Sequence, residues 1–416
     1  MGKILLCAFY FPPAGGGGVQ RGLKLAQQLP AFGIETHVLT PEDPRWIHRD
    51  EADIGIDEAR VHRVRYIGPR GRRPAEELYG LHGLERLTRK AALTPRRLLI
   101  PDENVPWLLT AAAPLLRVLD EEGIDTVVTT SPPNSIHFLG AVAKLLRGVR
   151  WVADIRDSIV ANHERSIQRP LVRAKEQTQR LVAWPIARRA DAIVAVTEQI
   201  ASEMRSLHPH GSVSVIANGA DFDDFSGLAY KRGDRFRITH TGSFFGRRDP
   251  RPFLSALARA DSVVQARFVG DFRRADLEWA RGLDLGDRLE LEPFAPRRRA
   301  LELQRNSDAL LLLLPDVGER GRDVPSAKLY EYLAARRPIL AAVPPDGTAA
   351  RLVREAGAGT VDASDDDAAI AASLDRLVQR WRDGELPDVS LPAGFSDCIS
   401  RAARVREYAE LLQTLG

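Results

Sequence analysis

Cysteine is nearly absent. Two occur in 416 residues, Cys7 within an apolar run and Cys398 near the C-terminus, and neither sits in a metal or redox motif. That economy excludes a disulfide scaffold and points to a reducing, cytoplasmic compartment. Long apolar runs are missing too. The N-terminus has one lysine and a short apolar segment ending at Pro12-Pro13, too short to span a bilayer and unlike a signal peptide. The expectation is a soluble chain, attached to a membrane at most peripherally, at its inner face. Charge of one sign is also scarce: Lys+Arg at 59 against Asp+Glu at 56 leaves a formal +3 and no general case for nucleic acid. There is no solenoid repeat and no long low-complexity segment.

What is present is alternation. Strand-like apolar runs at 3–11, 36–40, 61–67, 126–130, 151–155, 192–196 and 213–216 are separated by helical segments such as 19–32 and 107–122. Gly33 and Gly123 end those two helices where a left-handed C-cap is easiest, and Thr197 is placed to N-cap a third. The same grammar restarts at 237–241, continues through strands at 266–269, 288–291, 309–314 and 339–343, and closes with a helix at 395–415. Such order predicts an α/β chain of two Rossmann-like, doubly wound domains. The boundaries expected are 1–217, 218–394 and a C-terminal helix, 395–416, packing back towards the first domain, with the two domains facing each other across a cleft.

The first strand runs through Pro12-Pro13 into Gly15-Gly-Gly-Gly18 and then a helix. Backbone amides of Gly16, Gly17 and Gly18 can approach an anion closely, and the helix N-terminus favours negative charge, so a phosphate or diphosphate is the natural guest; a turn that binds nothing is the alternative. Two better-known glycine motifs are excluded. No Walker lysine follows Gly18, and the G-x-G-x-x-G register fails at Gln20 and Arg21.

Six segments in order resemble the nucleotide-sugar glycosyltransferases of family 4. They are Tyr10-Phe-Pro-Pro-Ala-Gly-Gly-Gly-Gly-Val-Gln-Arg21, Ser131-Pro-Pro-Asn134, Asp154-Ile-Arg-Asp157, Asn218-Gly-Ala-Asp221, His240-Thr-Gly-Ser-Phe-Phe-Gly-Arg-Arg248, and Val324-Pro-Ser-Ala-Lys-Leu-Tyr-Glu-Tyr-Leu-Ala-Ala335. The resemblance covers essentially the whole chain. It implies the GT-B fold, donor bound mainly by the second domain, acceptor by the first, and retention of anomeric configuration.

Sugar transfer loads negative charge on the leaving diphosphate, so fixed cations there lower the barrier. The resemblance places Gly242, Arg247, Arg248 and Lys328 near that diphosphate; two arginines in a solvated loop is the plainer reading, and the residues do not say which arginine points inward. It places Glu331, inside an amphipathic helix, on the donor ribose. Relatives carry a glutamate where this chain has Asp323, one methylene shorter, expected near the transferred sugar. In the first domain Asp157 is the candidate to orient or deprotonate the acceptor hydroxyl, with Arg156 fixing it or holding an acceptor charge; a structural salt bridge is the competing role. Arg21 is a candidate for an anionic acceptor or the donor phosphate, or simply for capping surface charge. His163 and Glu164 are weaker candidates, and His137 reads as a packed or solvent-exposed histidine and not as a catalyst.

Asp365-Asp366-Asp367 reads as a helix N-terminus, no cluster has metal spacing, and no Asp-x-Asp motif stands at a strand end. Metal-independent transfer without a cofactor is expected, from a nucleoside-diphosphate sugar to a hydroxyl acceptor. Between Arg60 and Arg97 eleven Lys/Arg face three acidic residues, with Leu78, Tyr79, Leu81, Leu84 and Leu87 interleaved. This stretch suits contact with an anionic membrane surface, and hence a lipid-linked acceptor in surface-polysaccharide assembly, or else a solvated face. A natural-product acceptor, a nucleotide-sugar epimerase and a non-catalytic transferase partner are the alternatives.

Overall fold

The computed structural model describes residues 2–44, 46, 48–51, 54–70, 78, 81–160, 170–244, 247–318, 322–323 and 325–415; His163 and Glu164 lie outside them. The chain divides into two compact units, one of Met1–Leu78, His82–Asn218 and Ala402–Gly416, the other built on Gly219–Arg401.

In the first unit seven strands form one sheet: β1 (Gly2–Ala8), β2 (Ile34–Glu42), β3 (Val61–Arg65), β4 (Thr126–Thr130), β5 (Arg150–Ile155), β6 (Ala192–Ala195) and β7 (Ser212–Val215). All pairings are parallel, in the order β3-β2-β1-β4-β5-β6-β7. The helices are α1 (Gln20–Gln28), α2 (Gly83–Leu98), α3 (Leu108–Glu122), α4 (His137–Arg147), α5 (Pro170–Arg189) and α6 (Glu198–Arg205).

Alternate side chains of β1 explain the layering. Ile4, Leu6 and Ala8 join a core with Leu25 and Ala26 of α1 and with Val405, Tyr408 and Leu412 of the C-terminal helix. Leu5 and Cys7 point the other way, into a core with Ala111 and Leu115 of α3 and Leu139 of α4. A strand covered on both faces must be apolar throughout, which is why it reads as a continuous run. Gly33 and Gly123 adopt the left-handed cap, and the Thr197 hydroxyl accepts from the Ile200 amide at 3.3 Å.

The second unit repeats the plan with β8 (Phe236–Thr241), β9 (Val264–Val269), β10 (Leu289–Glu292), β11 (Ala309–Leu313), β12 (Ile339–Ala342) and β13 (Gly359–Asp362), all parallel, in the order β10-β9-β8-β11-β12-β13. Around it lie α7 (Arg251–Arg259), α8 (Arg274–Ala280), α9 (Arg297–Arg305), α10 (Ala327–Ala335), α11 (Thr348–Glu355) and α12 (Asp367–Arg382). Leu311 and Leu313 pack with Phe253 of α7 and Leu374 of α12, while Leu310 and Leu312 pack with Leu329 and Leu333 of α10. Asp366 caps α12 as its position suggests, accepting from the Ala369 amide at 2.9 Å.

Two expectations need correction. The helix read at 395–415 is two helices, α13 (Phe395–Ile399) and α14 (Arg401–Thr414), because the backbone between them pairs with Ala220: Ala220 N–H donates to Ile399 C=O at 2.7 Å and Arg401 N–H to Ala220 C=O at 2.9 Å. Extended pairing at Ser400 is incompatible with a continuous helix. β13 went unread because four half-exposed residues at a sheet edge carry no apolar run.

One ion pair organises the first unit. The Arg21 guanidinium of α1 forks onto the Asp154 carboxylate of β5, with Nη2–Oδ1 at 2.7 Å and Nε–Oδ2 at 2.9 Å, and donates to the carbonyls of Ile216 and Ala217, each at 3.0 Å. The Thr130 hydroxyl adds a 2.6 Å bond to the same carboxylate. Both partners are buried. Burial alone raises the Asp154 pKa, but the Arg21 charge and the hydrogen bonds outweigh it and hold the group below the ordinary carboxylate range.

Replacing Arg21 by Met strands a buried carboxylate and is expected to destabilise this unit by about 3–5 kcal/mol, read in urea unfolding. Because the folded pKa is depressed, the stability that Asp154 confers is present above the unfolded value of about 4 and is lost as pH falls through the folded one. The stability gap between wild type and Asp154→Ala should therefore narrow only below about pH 4; a gap that instead closes near neutrality contradicts the assignment.

Candidate functional site

In each sheet the strand order reverses beside the unit's first strand, between β1 and β4 and between β8 and β11. Connections leave such a point in opposite directions, which opens a crevice at the carboxyl ends of the strands. The glycine loop, Arg156, Asp157 and Gly242 follow such strand ends directly.

At the first unit's crevice the glycine loop follows β1. Gly16 has φ 99°, in the region that glycine favours, whereas a Cβ on Gly17 or Gly18 would meet nothing within 4 Å. Gly15 N–H donates to His48 C=O at 2.9 Å, and the amides of Val19 and Gln20 turn back onto Gly16 C=O and Gly17 C=O at 3.2 and 3.4 Å. The exposed amides of Gly16, Gly17 and Gly18 donate to no group among the described residues.

Arg156 ties this loop down. Its Nη1 donates to Gly18 C=O at 2.7 Å and its Nε to Ser131 C=O, so the side chain joins the glycine loop to the segment after β4. Asp157, half-buried just past β5, makes no side-chain hydrogen bond to any described residue. Arg21 has a structural role in place of the acceptor contact expected of it: the fork on Asp154 and two carbonyls occupy its donors. His137 is packed, with Nδ1 on the Thr129 hydroxyl at 2.9 Å and a pKa pushed down to about 4 by burial.

The second unit gathers more charge. His240, on β8, places Nδ1 2.9 Å from Leu311 C=O. A carbonyl only accepts, so Nδ1 carries the proton and Nε2 presents a lone pair. The Lys328 ammonium donates to that Nε2 at 3.0 Å. Burial and the neighbouring cations Lys328 and Arg248 hold His240 well below the ordinary imidazole value, so the ring is neutral. Burial and Arg248 likewise hold Lys328 well below the ordinary lysine value, with Glu331 pulling weakly the other way. No carboxylate lies within ion-pair distance of Lys328 among the described residues.

Gly242 makes room for this lysine. Its φ is 108°, and a Cβ there would stand 2.6 Å from both Lys328 Cε and Nζ. Lys328 itself lies in the first turn of α10, whose N-cap Ser326 hydroxyl accepts from the Lys328 amide at 3.4 Å. Cation, helix N-terminus and glycine therefore converge on one spot at the end of β8. The two arginines separate: Arg248 is half-buried and near enough to depress both His240 and Lys328, whereas Arg247 is exposed.

Glu331 is one turn further along α10. Its partners are protein groups, Arg297 Nη1 at 2.7 Å and Gln304 Nε2 at 3.2 Å. Gln304 also donates to the Thr241 hydroxyl at 2.9 Å, and Arg297 donates to Asp224 at 2.6 Å. A carboxylate has about four acceptor positions, so two protein donors leave capacity for ligand hydroxyls. Asp323 stands apart: it is exposed, and among the described residues its carboxylate meets the Thr348 hydroxyl at 3.5 Å and no member of this network. His240, Arg297 and Gln304 were not singled out from sequence. His240 sat unremarked inside a quoted motif, Arg297 opens an arginine run after Pro296, and nothing local distinguishes Gln304. Among the described residues no group of three or more His, Cys, Asp or Glu could hold a metal ion.

Residues 16–219 match the model of the glycosyl transferase 4-like domain. The chain carries a glycosyl transferase 4-like domain. No curated protein matches it. Among solved structures it is similar to sucrose-phosphate synthase from Thermosynechococcus elongatus, at TM-score 0.65 and 16% identity, over 100% of this chain and 99% of that one. It is similar also to HepE from Anabaena, solved with UDP and glucose, at TM-score 0.64 and 14% identity over 100% of both chains. A glycosyltransferase from Rickettsia africae matches at TM-score 0.60 and 12% identity, over 99% of this chain and 98% of that one. These likenesses show the GT-B fold of two Rossmann-like units, the matched domain falling on the first and Arg248, Lys328 and Glu331 on the second.

Because Lys328 is held by burial and by Gly242, its Cε resonance in lysine-labelled protein should titrate below those of the other lysines, with Lys328→Met identifying the signal. Gly242→Ala, which pushes Nζ off His240, should return it towards the ordinary range. Identical titration of every lysine in the wild type would refute this setting.

Proposed function

We propose that the chain moves a sugar from a nucleoside-diphosphate sugar to a hydroxyl acceptor. The observation that carries this reading is the Lys328 ammonium, half-buried beside Arg248 at the N-terminus of α10, with no carboxylate in ion-pair contact among the described residues. Such a spot lacks an anion. A diphosphate fits it, because the leaving group gains charge as the glycosidic bond breaks and two preplaced cations stabilise that gain more in the transition state than in the ground state. Anion binding also restores the lysine's preference for the charged form.

Glu331, held by Arg297 and Gln304, offers its remaining lone pairs to the ribose hydroxyls. In the first unit Asp157 is the base that orients or deprotonates the acceptor, while Arg156 and the open amides of Gly16, Gly17 and Gly18 supply positive potential beside it. The likeness to HepE, solved with UDP, makes a uridine donor the first to try. With cations at the diphosphate, transfer needs no metal and should survive chelation; the anomeric configuration is retained. A lipid-linked glycan presented at an anionic membrane surface is the acceptor class that suits the basic first-unit stretch.

Calorimetry with UDP, GDP and ADP tests the donor site. One diphosphate should bind, and Lys328→Ala should weaken it by roughly tenfold to a hundredfold, the worth of one charge-assisted hydrogen bond. Glu331→Ala should weaken the nucleotide while leaving inorganic pyrophosphate unaffected. A panel of sugar nucleotides with chelator present should release diphosphate only when acceptor extract is added. Absence of binding by any nucleotide would sink the transferase reading, and donor conversion without acceptor would replace it with epimerisation.

A further inference from the structure

The chain that leaves β5 is anchored on both sides of Asp157. On the near side Ile155 C=O accepts from the Val196 amide at 3.2 Å, and the Arg156 amide donates to the Ser131 hydroxyl at 3.4 Å. The Arg156 guanidinium adds its bonds to the carbonyls of Ser131 and Gly18. On the far side Ile159 is fully buried, in the core that Ile155 of β5 shares with Val182 and Ile186 of α5 and with Ile200 and Met204 of α6. Asp157 lies between, half-buried, and its carboxylate has no hydrogen-bond partner among the described residues.

Glu203 completes the far anchor. It stands near the end of α6, 45 residues beyond Ser158, and its carboxylate accepts from the Val160 amide at 2.8 Å and from the Ser158 hydroxyl. A glutamate on a surface helix ordinarily finds a cation three or four positions away. Here those positions hold Gln199, Ile200, Ser206 and Leu207. No Lys or Arg stands within ion-pair distance of Glu203 among the described residues. The half-buried carboxylate is therefore answered by the turn after Asp157, through charge-assisted hydrogen bonds that are stronger than neutral ones. A base works only where its oxygen meets the proton it takes, and a misplacement of about 1 Å can cost roughly a hundredfold in rate.

We infer that Glu203 is a positioning residue for Asp157, fixing the turn at Ser158 and Val160 so that the carboxylate keeps one place beyond the end of β5. The inference rests on the acceptor role proposed above for Asp157. Its test measures diphosphate release at saturating sugar nucleotide, the one the panel turns over, with acceptor extract present. E203A should lower turnover by about tenfold or more, with UDP affinity and circular dichroism unchanged. E203Q should recover most of the loss, because its amide keeps an oxygen for the Val160 amide and offers an N–H to the Ser158 hydroxyl. S158A, which removes one of the two turn donors and leaves the helix intact, should move turnover in the same direction as E203A. In a D157N background E203A should change the remaining turnover by less than about twofold, since both act through one group. Wild-type turnover in E203A and S158A beside a slow D157N overturns the inference alone. So do losses that multiply in E203A/D157N, or a fall in UDP affinity that matches the fall in turnover, either of which marks a merely structural glutamate. Wild-type turnover in D157N removes Asp157 from the proposed reaction and the inference with it. A wild type that turns over no sugar nucleotide overturns both readings together.

Discussion

A parallel sheet buried on both faces leaves its strands no side on which to do chemistry. In β1, Ile4 and Leu6 serve one core while Leu5 and Cys7 serve the other; in β11, Leu310 and Leu312 serve one and Leu311 and Leu313 the other. Polar groups are thereby driven to the strand ends, and the reversal of strand order decides which ends have room. Glycine follows both β1 and β8, and at Gly242 the reason is visible: a Cβ there would stand 2.6 Å from the head of Lys328.

The two units use their inward cations in opposite ways. Arg21 is matched by Asp154 and by carbonyl oxygens, so its charge is spent on holding α1, β5 and the end of β7 together. Lys328 has a neutral imidazole for a partner and a second cation close by. The first arrangement is complete and contributes stability. The second is electrostatically unfinished, and a guest of opposite charge would finish it. Arg297 stands between these extremes, satisfied by Asp224 and Glu331 yet holding Glu331 where its other lone pairs remain open.

The setting of His240 shows how much follows from one carbonyl. Leu311, on the neighbouring strand, fixes the proton on Nδ1 and so turns Nε2 into an acceptor. A neutral, correctly oriented ring can then hold an ammonium without cancelling its charge, which a carboxylate in the same place would do. Gly242 contributes only an absent methyl group, but any larger residue occupies the position of the lysine head.

Local pattern was enough to determine the α/β class, the two Rossmann-like units, most strand cores and the caps at Gly33, Gly123, Thr197 and Asp366, because these depend on periodicity and on residues a few positions apart. Lys328, Glu331 and the pair Arg247 and Arg248 were named from their motifs. Only the tertiary structure decided that Arg21 is internal, that Arg248 turns inward while Arg247 faces solvent, that His240, Gln304 and Arg297 complete the network, and that Glu203 reaches the turn after Asp157. The physical reason is distance along the chain: Arg21 meets Asp154 across 133 residues and His240 meets Lys328 across 88. No local spacing encodes whether a charge will be answered by a partner so remote.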